Sequence, residues 1–287
     1  MKYDQHLVSL PWHDYELLDS GDSMKLERFG EIIVVRPETQ ALWLKRRPEL
    51  WETAHAKFAF RNMKGSWKIQ RPLPESGELA WNDARFLVRL TGFKHTGVFP
   101  EQTKNWAWIK TQVEILEKPK ILNLFGYTGI ASIVAAQAGA IVTHVDASKQ
   151  SLDWAHENAR RSKIPEEGIR WILDDVLAFT KREARRGVIY DGIILDPPAF
   201  GRGAKGEVWK IDRDFPALLE LLKNISSNTL HSFFLVSGYA AGYASRSFAQ
   251  AIESTFTIDK GECGELHIRE SYSDRVIPAG IYVRFVR

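Results

Sequence analysis

The sequence is short of cysteine: Cys263 is the only one in 287 residues. That excludes an intrachain disulfide framework and makes a reducing cytoplasm the expected compartment. Long apolar runs are missing too. No stretch approaches the roughly 20 residues that cross a bilayer, and Met1-Lys2-Tyr3-Asp4-Gln5-His6 lacks the basic-then-apolar build of a signal peptide, so no membrane partner is expected. The eight histidines are scattered, with no supporting Cys or carboxylate spacing, so no metal is expected. His144 falls inside a strand-like run and reads as a core residue. Neither a Walker-type loop nor a G-x-S-x-G elbow is present. A net charge of +3 is too slight to name a partner.

What is present is an ordinary globular composition, 44% hydrophobic and 26% charged, enough for one large domain or two modest ones. There are ten tryptophans. Trp12, Trp43, Trp51, Trp67, Trp81, Trp106 and Trp108 all fall in the first 110 residues; packing is the plainer role for them, and base stacking the sharper one.

Two regimes follow one another. Residues 1–95 carry short apolar or alternating runs broken by turn residues. Glu31–Arg36 ends at Pro37, and Ala41–Leu44, Trp67–Ile69 and Arg85–Leu90 read as further strands, with Pro72, Pro74 and Gly77 marking a loop. This predicts a small β-rich N-terminal domain. Residues 96–287 alternate strands with helices. Strands are expected at Lys120–Phe125, Ile141–Asp146, Ile169–Leu173, Tyr190–Asp196 and Ser232–Ser237. Helices are expected at Ile130–Ala138, after Ser148, at Val176–Arg186, at Phe215–Asn228 and at Ser245–Ser254. A late strand pair covers Phe256–Lys260 and Gly280–Val286. Such alternation predicts an α/β, doubly wound, mainly parallel sheet, with ligands bound beyond the carboxyl ends of its strands.

Polar and glycine residues gather at those ends. Asn123-Leu124-Phe125-Gly126-Tyr127-Thr128-Gly129 closes the first strand, and its glycines let the backbone turn and approach a ligand. Thr128 stands where the dinucleotide fingerprint needs its second glycine, which counts against nicotinamide or flavin dinucleotides. Asp146, in Val145-Asp146-Ala147-Ser148, lies where a carboxylate can accept both hydroxyls of a ribose. In Asp174-Asp175-Val176 one acid, Asp175 in preference, is placed for an adenine amino group; both could instead be first-turn acids of a helix. Asp196-Pro197-Pro198-Ala199-Phe200 follows an apolar strand. Its prolines hold Asp196 at the strand end, and Phe200 can stack on a flat substrate. Gly201-Arg202-Gly203-Ala204-Lys205-Gly206 reads as a mobile basic loop. Arg160-Arg161-x-Lys163 and Lys181-Arg182-x-x-Arg185-Arg186 suit phosphates or simply solvated helix ends.

This series of motifs resembles the class I S-adenosylmethionine-dependent methyltransferases, and most closely the group containing bacterial large-subunit ribosomal RNA methyltransferases. The resemblance spans about residues 95–287 and implies a Rossmann-like, seven-stranded sheet with S-adenosyl-L-methionine as cofactor. It implies Gly126 and Gly129 near the amino-acid part of the cofactor, with Asn123, Phe125 and Tyr127 in the same loop. Asp146, with Ala147 and Ser148, falls on the ribose and Asp175 on the adenine, while Asp196 faces the methyl group. It also implies that the segment before the first strand, Phe99-Pro100-Glu101-Gln102 with Trp106, closes the pocket. The catalytic group is then Asp196, Pro197, Pro198 and Phe200.

One departure matters. Relatives that methylate ring carbon 5 of cytosine carry a nucleophilic Cys after the fifth strand, where this chain has Ser237-Gly238-Tyr239-Ala240-Ala241-Gly242. Cys263 lies beyond the next helix and reads as a buried or strand-edge thiol. The expected reaction is therefore methyl transfer to a nitrogen or oxygen of RNA, ribosomal RNA foremost, without a covalent adduct. The rivals are a protein or small-molecule methyltransferase, a dinucleotide-dependent oxidoreductase and a non-catalytic RNA-binding module.

Overall fold

A computed structural model describes all residues except 62–63, 75–76, 204–205 and 240–241. The chain divides into two compact units. One is built from Met1–Leu7, Asn105–Glu265 and Gly280–Arg287, the other from Val8–Lys104 and Leu266–Ala279. The sequence suggested a single boundary near residue 95. The chain instead re-enters the second unit late, and both late boundaries fall inside continuous strands, so the glycine and proline residues near them, Gly264, Pro278 and Gly280, do not end a strand there.

After strand β1 (Lys2–Ser9), the second unit holds β2 (Tyr15–Gly21), β3 (Met24–Phe29), β4 (Ile32–Pro37), β5 (Ala56–Arg61) and β6 (Lys64–Ile69), hydrogen-bonded in that order, and the hairpin β7 (Glu78–Trp81) with β8 (Ala84–Leu87). Asp22 and Ser23 have φ of 53° and 58°, the two-residue turn whose twist suits a hairpin. The expected strand at Ala41–Leu44 does not form. The chain there is drawn toward the buried Asp19, whose carboxylate accepts the Arg46 N–H at 3.3 Å, the Arg47 N–H at 3.0 Å and the Trp51 indole N–H at 2.8 Å. Satisfying one buried acid outweighs an apolar run that would otherwise pair as an edge strand.

In the first unit the helices are α1 (Thr103–Ile115), α2 (Ile130–Gln137), α3 (Lys149–Arg161), α4 (Val176–Arg185), α5 (Ile211–Lys223) and α6 (Ser245–Glu253). They intervene among β9 (Lys120–Leu124), β10 (Ile141–Asp146), β11 (Ile169–Leu173), β12 (Gly192–Leu195), β13 (Phe200–Arg202), β14 (Val208–Lys210), β15 (Phe233–Gly238), β16 (Lys260–Arg269) and β17 (Val276–Val286). The main sheet has eight strands in the order β1-β16-β17-β15-β12-β9-β10-β11. Strands β15, β12, β9, β10 and β11 are parallel, and β17 is antiparallel to β15. The N-terminal strand β1 thus adds an eighth member to the expected seven. Its sequence, Lys-Tyr-Asp-Gln-His-Leu-Val-Ser, is too polar to announce a sheet strand.

Short apolar strands fit a sheet covered on both faces. In α5 the buried residues Ile211, Phe215, Leu218, Leu219 and Leu222 recur at helical spacing, so one stripe meets the sheet core at Leu122, Leu124, Ile193, Leu195 and Phe234. Chain order reverses between β9 and β12, which places the switch point at the centre of the sheet, where ligands of such folds bind.

Candidate active site at the strand ends

The loop leaving β9 is shaped by backbone constraints. Phe125, Tyr127 and Gly129 have φ of 56°, 50° and 81°, three left-handed residues in one turn. The Gly126 N–H donates to the Val145 carbonyl at 3.1 Å, which ties the loop to β10. A Cβ on Gly126 would lie 2.3 Å from Cε1 and 2.5 Å from Nδ1 of His144, so only glycine fits over that imidazole. His144 is completely buried, its Nδ1 lies 3.0 Å from Ser132 Oγ, and burial pushes its pKa down to about 3. The neutral ring is thus a floor for the loop, in keeping with its reading as a core residue. Asn123 is also buried, and its amide donates to Ser132 Oγ at 2.8 Å.

Asp146 stands at the end of β10. One carboxylate oxygen accepts the Tyr127 N–H at 2.8 Å, and the other accepts the Ser148 N–H at 2.8 Å. Burial raises its pKa, and the two backbone donors oppose that rise. Ala147 is half-buried and Ser148 exposed. Ser148 caps α3, accepting the Ser151 N–H at 3.2 Å. Beyond β11, the Asp174 N–H donates to the Asp146 carbonyl at 3.1 Å, and the Asp174 carboxylate pairs with Arg182. Asp175 caps α4, one oxygen accepting the Ala178 N–H at 2.8 Å.

At the end of β12 the Asp196 N–H reaches the Leu124 carbonyl at 3.4 Å, and the Asp196 side chain faces Gly238 at the end of β15. Pro197 is buried, Pro198 and Ala199 are exposed, and Phe200 is 53% exposed. The segment after Phe200, expected to be a mobile loop, is a hairpin in which β13 pairs antiparallel with β14, Gly201 opposite Trp209; Ala204 and Lys205 lie outside the described residues. Trp209 was not singled out from the sequence. Its indole N–H donates to the Pro198 carbonyl at 2.7 Å, and its ring meets the Phe125 ring edge-on at 4.9 Å. The only available signal was an aromatic residue a short way past the proline pair.

The loop at Asn123–Gly129, Asp146–Ser148, Asp174–Asp175 and Asp196–Phe200 therefore come together at the carboxyl ends of four adjacent strands. Gln102 does not belong to this unit. It ends a turn of 3-10 helix, Pro100–Gln102, in the second unit. In the Ser237–Gly242 segment, Ala240 and Ala241 lie outside the described residues. Cys263 is completely buried in the core of the first unit, and burial raises its pKa.

The sequence family of S-adenosylmethionine-dependent methyltransferases matches residues 51–256. The chain belongs to this family. This methyltransferase is similar along 99% of its length to a crystal structure of an S-adenosylmethionine-dependent methyltransferase from Agrobacterium tumefaciens, with 40% identity, a TM-score of 0.93 and 95% of that chain covered. It is 35% identical over 170 residues, 58% of its length, to ribosomal RNA large subunit methyltransferase K/L of Syntrophotalea carbinolica. It is 27% identical over 249 residues, 80% of its length and 70% of the relative's, to ribosomal RNA large subunit methyltransferase K of Neisseria meningitidis. The methyltransferase spans only 23% and 22% of the first two K/L relatives. S-adenosylmethionine is the cofactor of the family, which removes the dinucleotide reading. Among the described residues no helix is long and apolar enough to cross a membrane.

Proposed function

We propose that this methyltransferase moves the methyl of S-adenosylmethionine to a nitrogen or oxygen of RNA, ribosomal RNA foremost, with no covalent enzyme adduct. The observation that carries the reading is the turn Asp196–Phe200 beside the glycine loop: a half-buried carboxylate fixed by two prolines, followed by an exposed aromatic ring with the Arg202 guanidinium 6.0 Å from its centroid. An exposed ring flanked by a cation suits an unstacked base and its phosphate. The relatives' names support the same substrate class.

When bound, the cofactor supplies an electrophilic methyl on a positively charged sulfur. The protein's own part is to bind, align and exclude water. Asp146, already oriented by two backbone N–H groups, offers its remaining lone pairs to ribose hydroxyls. The second carboxylate oxygen of Asp175 accepts from the adenine amino group. Gly126 and Gly129 bring main chain close to the amino-acid end. Asp196 orients the acceptor atom and takes its proton where one must leave. A nitrogen or oxygen acceptor has a lone pair of its own, so no thiolate need add to the base; the buried, proton-retaining Cys263 fits that economy.

The test is mass spectrometry of ribosomal RNA from cells with and without the gene, paired with transfer of labelled methyl from S-adenosylmethionine to the unmodified RNA by the purified protein. One methyl group lost with the gene and restored in vitro supports the proposal. Label that goes only to protein or to small molecules overturns the RNA assignment.

A further inference from the structure

We propose that Trp209 is a positioning residue that holds the cofactor loop and the substrate turn in one arrangement. Two contacts of one side chain reach the two halves of the site. The indole N–H donates to the Pro198 carbonyl at 2.7 Å, and the ring meets Phe125 at 4.9 Å between centroids, 62° between planes. Neither partner is slack. Phe125 opens the glycine loop in a left-handed conformation, φ 56°, which a bulky residue keeps only when its surroundings hold it there. Pro198 ends the proline pair that carries Asp196, and its carbonyl has no strand to pair with inside that turn. The tryptophan is itself held by the hairpin: Gly201 lies opposite it across the ladder, and the next residue but one, Ile211, donates its N–H to the Ala199 carbonyl at 3.1 Å. With only 6% of its surface exposed, Trp209 moves little without moving both neighbours.

The two contacts do different work and can be separated by substitution. The ring contact braces the loop that approaches the cofactor, so its loss weakens cofactor binding. The hydrogen bond braces the turn that presents Asp196, so its loss slows transfer at saturating cofactor. The inference rests on the function proposed above for this site. Its first arm needs only the cofactor product, however, and not the RNA.

Trp209→Phe retains an aromatic ring against Phe125 and deletes the N–H. Expected are kcat on unmodified ribosomal RNA lowered about tenfold or more, with KM for S-adenosylmethionine and calorimetric affinity for S-adenosylhomocysteine within about threefold of wild type and little change in melting temperature, since a small misplacement costs turnover before binding. Trp209→Leu removes both contacts and should lose about fivefold or more in S-adenosylhomocysteine affinity as well. Phe125→Leu should show the same binding loss, and the double variant should bind no worse than the weaker single one, because the two rings act through one contact. Unchanged kcat in Trp209→Phe, or binding losses that multiply in the double variant, overturns the proposal. Wild-type protein that fails to methylate the RNA sinks the substrate assignment alone; the four calorimetric comparisons then decide for or against Trp209 by themselves.

Discussion

The Asp146 carboxylate accepts the Tyr127 N–H at 2.8 Å, so the residue at the end of β10 braces the glycine loop of β9 before any ligand arrives. Replacing it removes an acceptor from two backbone donors at once. Asp146→Ala is expected to lower S-adenosylhomocysteine affinity by about 2–4 kcal/mol, as the charged hydrogen bonds to the loop and those proposed to the ribose are lost together. Isothermal calorimetry measures this directly. Because burial raises the Asp146 pKa, the proton returns at a higher pH than for an ordinary aspartate. The protonated acid accepts less well, so wild-type affinity should weaken on acidification sooner than a normal carboxylate would allow.

Gly126→Ala puts a methyl 2.3–2.9 Å from three atoms of the buried His144 ring. Overpacking of this kind costs about 1–3 kcal/mol, and here it also lifts the loop from its floor. A lower unfolding midpoint and weakened S-adenosylhomocysteine binding are expected. Gly126→Ala combined with His144→Ala should recover part of the binding, though not the stability.

Asp196 and Cys263 separate the two chemistries. Asp196→Ala should lower methyl transfer by about 10²–10⁴-fold, the range for a group that orients and accepts a proton, while S-adenosylhomocysteine affinity changes little. Cys263→Ala should leave transfer unchanged at a cost in stability of about 1 kcal/mol for the buried thiol. A folded Cys263→Ala protein without activity would revive a covalent route.

The second unit carries its own pH signature. Glu27 is completely buried, accepts Arg36 at 2.7 and 2.8 Å and Tyr15 at 2.9 Å, and has a pKa lowered from 4.5 to about 2, burial pushing up and the Arg36 and Lys25 charges overcoming it. Its folded pKa lies below the unfolded one, so its stabilisation is full above pH 4.5 and is lost toward pH 2. Glu101 is buried, and its pKa rises to about 7 because burial outweighs the nearby cations. For this acid the sign reverses: its contribution is full below pH 4.5 and is lost as pH climbs through 7. Glu101→Gln should therefore flatten the fall in melting temperature over that window. Glu27→Gln strands the buried Arg36 charge and should cost about 3–5 kcal/mol at neutral pH. Thermal melts across pH check both.

The sequence alone settled what depends on neighbours a few positions away. Apolar runs of strand length, helices with Ser148 and Asp175 at their starts, and glycines or prolines at the turns are local choices, and these placed the parallel sheet and the acids at its strand ends. Tertiary structure decided the rest. The polar β1 gains a place in the sheet only by pairing with a strand more than 250 residues later. Ala41–Leu44 loses its strand to the distant Asp19, and three strands, β1, β16 and β17, pass from one unit to the other without ending. His144 lies beneath Gly126, and Trp209 lies against both Phe125 and Pro198. Such contacts form because burial and hydrogen bonding reward whatever the folded chain brings together, and spacing along the chain carries no record of that.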